Sequence, residues 1–178
     1  MPYKIPDIDG WMEECQMNWL YGTAQTMTSI VEIGSWKGRS THALLSGCPG
    51  PVFAVDHFRG NPDEIGEGSA HFEATCTDIF PQFWANVGHF KNLVAMRMPS
   101  VVAAQYFAPA SVDMVFIDGD HSTKEAIVSD LAVWRPKCRR LLCGHDASYI
   151  TVQDALKEMG YRYQGVNGFA IWRLNFAT

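Results

Sequence analysis

The sequence lacks the features that mark membrane proteins and nucleic-acid-binding proteins. No apolar run reaches the roughly 18 residues that a membrane-spanning helix needs. The 14 lysines and arginines are outnumbered by 19 aspartates and glutamates, so the formal net charge is −5. A negative charge of this size argues against a surface that binds nucleic acid or an anionic membrane nonspecifically. We therefore expect neither nucleic acid nor a membrane among the partners.

The chain also lacks the patterns of secreted, disulfide-rich proteins. Its five cysteines are scattered and include no CxxC pair, which predicts reduced thiols. The N-terminal residues contain no apolar stretch typical of a signal peptide, so we expect a cytoplasmic protein. No internal repeat or low-complexity segment divides the 178 residues, of which 47% are hydrophobic. We expect one domain over residues 1–178.

Short apolar segments alternate with helical patterns along the chain. The predicted strands are 29–33, 52–56, 92–98, 112–117 and 140–143. The predicted helices are 10–28, 39–46, 77–89, 101–107, one that ends at 134 after a capping box at 122–125, and 152–159. Two alternating segments, 161–166 and 169–174, flank the hairpin signal Asn167-Gly168. This order predicts a three-layer Rossmann-like α/β fold, with a mostly parallel seven-stranded sheet and a C-terminal antiparallel hairpin.

The most informative stretch is residues 31–38, which read VEIGSWKG. An apolar strand runs into a turn in which Gly34 and Gly38 let the backbone bend sharply, and a helix with unpaired N–H groups follows. Asp56 ends the next strand and lies 24 positions (56 minus 32) after Glu32. This is close to the spacing of about 20 at which an acid binds ribose hydroxyls in a βαβ nucleotide site. The pattern predicts a nucleoside-bearing cofactor.

Polar residues follow the carboxyl ends of the apolar strands, where open parallel sheets bind ligands. They are Glu32, Asp56, Asp118, Asp120, His121, His145 and Asp146. Each of them could instead cap a neighbouring helix or lie in a solvated loop. Acids placed repeatedly at one edge of a buried sheet are costly unless they bind something. We therefore interpret the set as a site.

Asp118 and Asp146 follow two strands that should be neighbours, and adjacent strands lie about 4.8 Å apart. Two carboxylates so close repel each other unless a cation lies between them. A hard ion such as Mg²⁺ suits carboxylate oxygens. His145 is either a third ligand, although imidazole is a softer donor than Mg²⁺ prefers, or a residue that hydrogen-bonds to a nearby loop.

Four stretches carry a resemblance to a known family: VEIGSWKGRSTHALL, VFAVDHF, DMVFIDGDHSTKEAIVSDLAVW and LLCGHD. Together they resemble the class I S-adenosylmethionine (SAM)-dependent methyltransferases grouped as methyltransferase family 24. That family is related to the sugar O-methyltransferases of macrolide and aminocoumarin biosynthesis, and more distantly to catechol O-methyltransferase. The matched stretches span most of residues 29–147, which are expected to form the cofactor and metal core.

The resemblance implies a set of cofactor-binding residues. They are Glu32, Gly34, Ser35, Gly38 and Ser40 around the methionine part of SAM, Asp56 at the ribose, His57, Phe58 and Ser100 near the adenine, Trp36 covering cofactor or acceptor, and Asp118 as a further cofactor-binding residue. It also implies a divalent metal, Mg²⁺ or another, held by Asp118, His145 and Asp146. The sugar O-methyltransferases usually carry Asp or Glu at the position of His145.

The reaction that the resemblance implies is in-line methyl transfer from the sulfonium to a hydroxyl. Asp120 matches the proposed general base of the sugar enzymes, and His121 falls where catechol methyltransferases carry a catalytic lysine. Either residue could accept the proton, since a neutral histidine has a suitable pKa near pH 7. Residues 57–76 are expected to form a short lid over a sugar or catechol-like acceptor. Either the acceptor is small, or a second subunit of a homo-oligomer helps to close the site.

Three other functions remain open on the sequence alone. An NAD(P)-dependent oxidoreductase could use a related sheet, but a terminal hairpin is unusual for that fold. A non-catalytic SAM-binding protein would leave the acids after the fourth and fifth strands without a role. A metal-dependent hydrolase using Asp118 and Asp146 would leave Asp56 and the glycine turn unexplained.

Overall fold

One mixed sheet organises the residues that the computed structural model describes, which are 3–60, 72–166, 168 and 170–175. Within these ranges seven strands lie in the order β3-β2-β1-β4-β5-β7-β6. They are β1 Ile30–Ile33, β2 Val52–Asp56, β3 Leu93–Arg97, β4 Val112–Ile117, β5 Cys138–Gly144, β6 Gln164–Gly165 and β7 Trp172–Asn175. Strands β1 to β5 are parallel, whereas β7 pairs antiparallel with both β5 and β6. The predicted fold class is confirmed.

Helices cover both faces of the sheet. They are α1 Glu14–Ala24, α2 Arg39–Gly47, α3 Phe72–Cys76, α4 Phe80–Val87, α5 Ser100–Ala103, α6 Lys124–Trp134 and α7 Ile150–Glu158. Short 3₁₀ turns follow α5 at Ala104–Tyr106 and α6 at Arg135–Lys137. Among the helices in the described ranges, none is long and apolar enough to cross a membrane.

The sheet separates two apolar cores, because neighbouring residues of a strand point to opposite faces. Ile30 belongs to the core beneath α1, α2 and α4, while Val31 and Ile33 belong to the core beneath α6 and α7. All four residues of β1 are buried, and so are all six of β4. Strands covered on both faces read as continuous apolar runs, and this makes the central strands recognisable in the sequence.

Several predicted boundaries are wrong. The predicted helix 10–28 is confined to Glu14–Ala24. Its later start agrees with the hydrogen bonds that Arg39 donates to the carbonyls of Ile8 and Met12 in the segment before α1. Part of the predicted lid, residues 72–76, is the helix α3, and 61–71 lie outside the described residues. The hairpin strands are shorter than predicted, and Asn167 also lies outside the described residues.

Candidate active site

The glycine turn after β1 brings two distant loops into contact. Gly34 has φ of 85°, and a Cβ atom at this position would lie 2.1 Å from the carbonyl oxygen of Asp118. Gly38, with φ of 93°, is the N-cap of α2. Between them, Trp36 also adopts a left-handed conformation, and its N–H donates to Asp56 Oδ2 at 2.8 Å. The turn is therefore held between the ends of β2 and β4.

Glu32 lies beneath this turn and supports it. Its carboxylate is completely buried, and Oε2 accepts hydrogen bonds from the hydroxyls of Ser35 and Thr41. Oε1 has no hydrogen-bond partner among the described residues. Burial raises the pKa of Glu32 to about 7 despite the hydroxyl donors. Glu32 thus ties the turn to α2 from below.

A cavity of about 890 Å³ opens at the carboxyl ends of the parallel strands, as expected for an open α/β sheet. The predicted cofactor residues that line it are Gly34, Ser35, Trp36, Ser40, Asp56, His57 and Ser100. The predicted metal and catalytic residues that line it are Asp118, Asp120, His121, His145 and Asp146. The glycine turn and the acidic residues therefore share one cavity.

Three residues that are predicted to bind the cofactor do not line the cavity. Glu32 points into the core beneath α2, on the same face of β1 as Ile30. Gly38 faces the side chains of Phe83 and Val87. Phe58 is 1% exposed and packs against Phe80 and Phe83 in the core.

Asp118, His145 and Asp146 form a compact cluster at the ends of β4 and β5. Each offers one ligand atom, and the three atoms lie within 4.8 Å of one another. His145 Nδ1 lies 3.2 Å from Asp146 Oδ1 and 3.6 Å from Asp118 Oδ1. The predicted approach of the two acids is confirmed. Asp146 has φ of 55°, an uncommon backbone conformation for a non-glycine residue.

His121 contacts the other oxygen of Asp146. Its Nδ1 lies 3.2 Å from Asp146 Oδ2, and its carbonyl accepts a hydrogen bond from the Thr151 hydroxyl. Burial opposes the charged form of His121, but the Asp146 hydrogen bond and the Asp118 charge outweigh it, so the pKa is raised. The same balance raises the pKa of His145. For Asp146 burial is outweighed by both histidines, which hold its pKa well below the usual range.

Asp120, next to His121, forms a hydrogen bond within its own loop. Its Oδ1 accepts a hydrogen bond from the Ser122 N–H at 2.9 Å, which closes a short turn before α6. The side chain still lines the cavity. Both candidate bases therefore reach the cavity, but only His121 bonds to one of the clustered carboxylates.

Sequence reasoning missed Asp130, which lines the cavity from α6. It is 8% exposed and accepts a hydrogen bond from the Ser100 hydroxyl, which in turn accepts from the Trp134 indole at 2.8 Å. Ser100, predicted near the adenine, is the first residue of α5, and its side chain bonds to Asp130. Burial raises the pKa of Asp130 to about 6. The sequence signal that could have revealed Asp130 is its position three residues after Ile127, which places an acid on the apolar face of α6.

The N-terminal segment is a second feature that the sequence did not reveal. Asp9, Gly10, Trp11 and Met12 line the cavity from outside the sheet. Trp11 packs against Trp36 with ring centroids 5.5 Å apart. The segment therefore forms an aromatic wall together with the glycine turn.

The Lys37 side chain holds the N-terminal segment from the glycine turn. Its ammonium group lies 3.1 Å from Asp9 and 2.6 Å from Glu73 of α3. Burial of the ammonium group is outweighed by these two hydrogen bonds, so the pKa of Lys37 is raised. Three separate parts of the chain are linked through one side chain at the cavity wall.

Comparison with known proteins agrees with this architecture. A family model described as a methyltransferase domain matches residues 31–147. Among curated proteins, no relative matches the sequence. Solved structures similar to this chain include the Podospora anserina methyltransferase PaMTH1 bound to SAH, with 11% identity and a TM-score of 0.63 over 94% of this chain and 80% of that chain.

Two further solved structures differ in the atom that they methylate. The O-methyltransferase NovP is 14% identical, with a TM-score of 0.59 over 89% of this chain and 78% of its own. The N-methyltransferase NodS from Bradyrhizobium japonicum is 12% identical, with a TM-score of 0.58 over 90% of this chain and 92% of its own. At such identities the likeness shows a shared fold and leaves the acceptor atom open.

The sheet order and the cavity at its carboxyl edge define a Rossmann-like protein of the class I methyltransferase fold. The family match covers well over half of the chain. This chain belongs to methyltransferase family 24.

Proposed function

We propose that the protein transfers a methyl group from SAM to a hydroxyl group of a small molecule. The observation that carries the proposal is the single cavity shared by the glycine turn, Asp56, and the cluster of Asp118, His145 and Asp146. Its volume of about 890 Å³ lies in the range of pockets that enclose a cofactor or drug-sized ligand.

The residues that line the cavity at the ends of β1 and β2 fit a nucleoside cofactor. Asp56 uses one lone pair of each oxygen on the N–H groups of Trp36 and Phe58, which leaves acceptor capacity for ribose hydroxyls. Ser35, Ser40 and the glycine turn would hold the amino-acid tail. SAM supplies a methyl group activated on a sulfonium. The contribution of this chain is to hold that group and the acceptor in line.

The residues that line the cavity at the ends of β4 and β5 fit a divalent cation. Asp118, His145 and Asp146 supply two carboxylates and an imidazole whose ligand atoms lie within 4.8 Å of one another. A cation held there would bind the acceptor hydroxyl and lower its pKa, as a Lewis acid does for water.

His121 is the better candidate for the proton acceptor. A donor bond from Nδ1–H to Asp146 would orient the imidazole and leave Nε2 as the free acceptor, an arrangement typical of catalytic histidines. Asp120 is the alternative, but its Oδ1 already closes the turn at Ser122. The contact with Asp146 therefore supports His121 over Asp120 as the proposed general base.

The acceptor is proposed to be a small sugar or catechol-like compound. Trp11, Trp36 and Tyr149 present aromatic surface to the cavity, which suits the face of a sugar or an aromatic ring. A second subunit remains an alternative way to close the cavity. A cytoplasmic location is proposed because the five cysteines are unpaired.

Calorimetric titration tests the cofactor assignment. We expect SAM and SAH to bind and NAD not to bind, and we expect Asp56→Ala to weaken SAM at least about tenfold through lost hydrogen bonds. The exposed acid Asp154 of α7 provides the control, and Asp154→Ala should bind SAM like the parent. Binding of NAD in place of both sulfur cofactors would contradict the proposal.

A product screen by mass spectrometry tests the reaction. Sugars and catechols incubated with SAM should gain one methyl group, which fragmentation should locate on oxygen. His121→Gln should lower the rate about 10² to 10⁴-fold, with a smaller effect for Asp120→Asn. The reverse order of the two variants would assign the base to Asp120.

A further inference from the structure

The acid cluster is contacted from behind by α1, through Gln16. This side chain is 6% exposed, and its Oε1 accepts a hydrogen bond from the backbone N–H of Glu13 at 2.9 Å. A backbone N–H can only donate, so the atom that faces it is the amide oxygen and not the amide nitrogen. The orientation of the Gln16 amide is therefore fixed by the first turn of α1.

The same oxygen fixes the tautomer of His145. Gln16 Oε1 lies 3.3 Å from His145 Nε2, a long hydrogen bond for which the histidine must supply the proton. A neutral imidazole protonated at Nε2 has a bare lone pair at Nδ1. That lone pair faces Asp146 Oδ1 at 3.2 Å and Asp118 Oδ1 at 3.6 Å. In the neutral form of His145 three electron-rich atoms face one another, and either a proton on Nδ1 or a metal ion between the three atoms offsets their repulsion.

The spacing of these atoms is close to that around a metal ion. Ligand atoms about 2.1 Å from one ion and at right angles to each other lie about 3.0 Å apart. The two distances from His145 Nδ1, 3.2 and 3.6 Å, need only a small contraction. His121 contacts Oδ2 of Asp146, and this contact directs Oδ1 of the same carboxylate toward the cluster.

The donor set indicates the class of metal. Mg²⁺ prefers oxygen ligands in a nearly ideal octahedron, whereas an imidazole nitrogen suits iron, nickel, copper and zinc. Among the first-row ions Mn²⁺ has the ligand preference nearest to that of Mg²⁺, so it is the most demanding probe of this selection. A histidine whose other nitrogen donates to a fixed oxygen is also the usual arrangement of metal-binding histidines. One imidazole and two carboxylates would leave open positions on the ion for an acceptor.

We propose that Gln16 is a positioning residue that fixes His145 for metal binding, so that the cluster selects a first-row transition-metal ion over Mg²⁺. The proposal rests on the metal assignment of the proposed function and adds the class of ion and the residue that orients its nitrogen ligand. It does not depend on which acceptor is methylated.

Direct metal binding tests the proposal without an activity assay. Electron paramagnetic resonance of Mn²⁺ titrated into the full chain should show tight binding, with Mg²⁺ at tenfold excess failing to displace it. Pulsed measurements should show coupling of Mn²⁺ to an imidazole ¹⁴N nucleus. His145→Asp should abolish that coupling and allow Mg²⁺ to compete. Absence of Mn²⁺ binding, a preference for Mg²⁺ or a spectrum without nitrogen coupling would overturn the proposal.

Variants of Gln16 separate positioning from a structural role. Gln16→Leu should weaken Mn²⁺ about 10 to 100-fold, the range for lost outer-shell partners, whereas Gln16→Glu keeps an acceptor oxygen and should bind close to the parent. Gln25→Leu, at the exposed far end of the same helix, is the matched control. Equal affinity of the parent and Gln16→Leu would overturn the role of Gln16.

A SAM titration of the same samples distinguishes the two failures. SAM binding with no transition-metal binding would overturn this inference and leave the cofactor assignment standing. If the parent protein does not bind SAM, the proposed function is overturned. Mn²⁺ binding with nitrogen coupling in that same protein would still support the metal site.

Discussion

At the scale of single residues, the site contains acids whose surroundings oppose their charge. The carboxyl of Glu32 is buried beneath the glycine turn, and that of Asp130 is buried beside Ser100 and Trp134. Sequence patterns identified Glu32 because it follows an apolar strand in a known spacing. Asp130 gave no comparable signal, because whether an acid in a helix is buried depends on what packs against the helix.

Asp130→Asn should stabilise the protein at neutral pH. The pKa of Asp130 rises from an ordinary value of 3.8 to about 6 in the folded protein, so folding disfavours the ionised form. The penalty is absent below pH 3.8, grows between the two values and is complete above pH 6. With about 1.4 kcal/mol per pKa unit, the gain is at most about 3 kcal/mol.

Chemical unfolding between pH 4 and pH 8 measures this effect. The advantage of Asp130→Asn over the parent should shrink steadily as the pH falls from 6 towards 4. Asp154→Asn on the exposed face of α7 should show no such trend. A variant that is less stable than the parent at pH 8 would show that Asp130 is ionised without penalty in the fold.

At the scale of elements, the sequence predicted which elements exist better than where they begin and end. β2 and β4 have the predicted bounds because turn residues flank their apolar runs. The start of α1 could not be predicted, because it depends on Arg39, which is 25 positions (39 minus 14) further along the chain. Apolar periodicity continues into the N-terminal segment, but a tertiary contact keeps that segment out of the helix.

Arg39→Met should loosen the segment that precedes α1. The variant loses the charged hydrogen bonds to the carbonyls of Ile8 (2.7 Å) and Met12 (3.0 Å), and bonds of this kind contribute about 1.5 to 3 kcal/mol. The backbone amides of residues 5–13, apart from Pro6, should exchange hydrogen faster, while those of α6 should not change. Arg162→Met, at an exposed position, is the control. Unchanged exchange in residues 5–13 would contradict the role of Arg39.

At the scale of the whole molecule, the order of strands brings the two halves of the site together. β1 lies between β2 and β4, so its glycine turn meets both Asp56 and Asp118. The alternation of strands and helices predicted this edge of the sheet, because right-handed crossovers leave few other arrangements. Contacts across the fold, such as Gln16 with His145, join residues 129 positions apart and leave no local pattern in the sequence.

Gly34→Ala should damage both halves of the site at once. The left-handed backbone at Gly34 costs a residue with a Cβ atom about 1 to 2 kcal/mol, and the new methyl group would lie 2.1 Å from the carbonyl oxygen of Asp118. The loop after β4 must therefore move, and Asp118 moves with it. We expect unfolding free energy to fall by at least about 2 kcal/mol, and SAM and Mn²⁺ affinity to fall together.

A second glycine supplies the comparison for this variant. Gly22 lies in α1, and a Cβ atom there would meet nothing within 4 Å. Gly22→Ala should stabilise the protein by about 0.5 to 1 kcal/mol and leave both affinities unchanged. If Gly34→Ala lowered SAM affinity but left Mn²⁺ affinity at the parent's value, the glycine turn and the loop after β4 would be independent. In that case the cofactor and metal halves of the cavity would be positioned separately, in spite of the contact between their backbones.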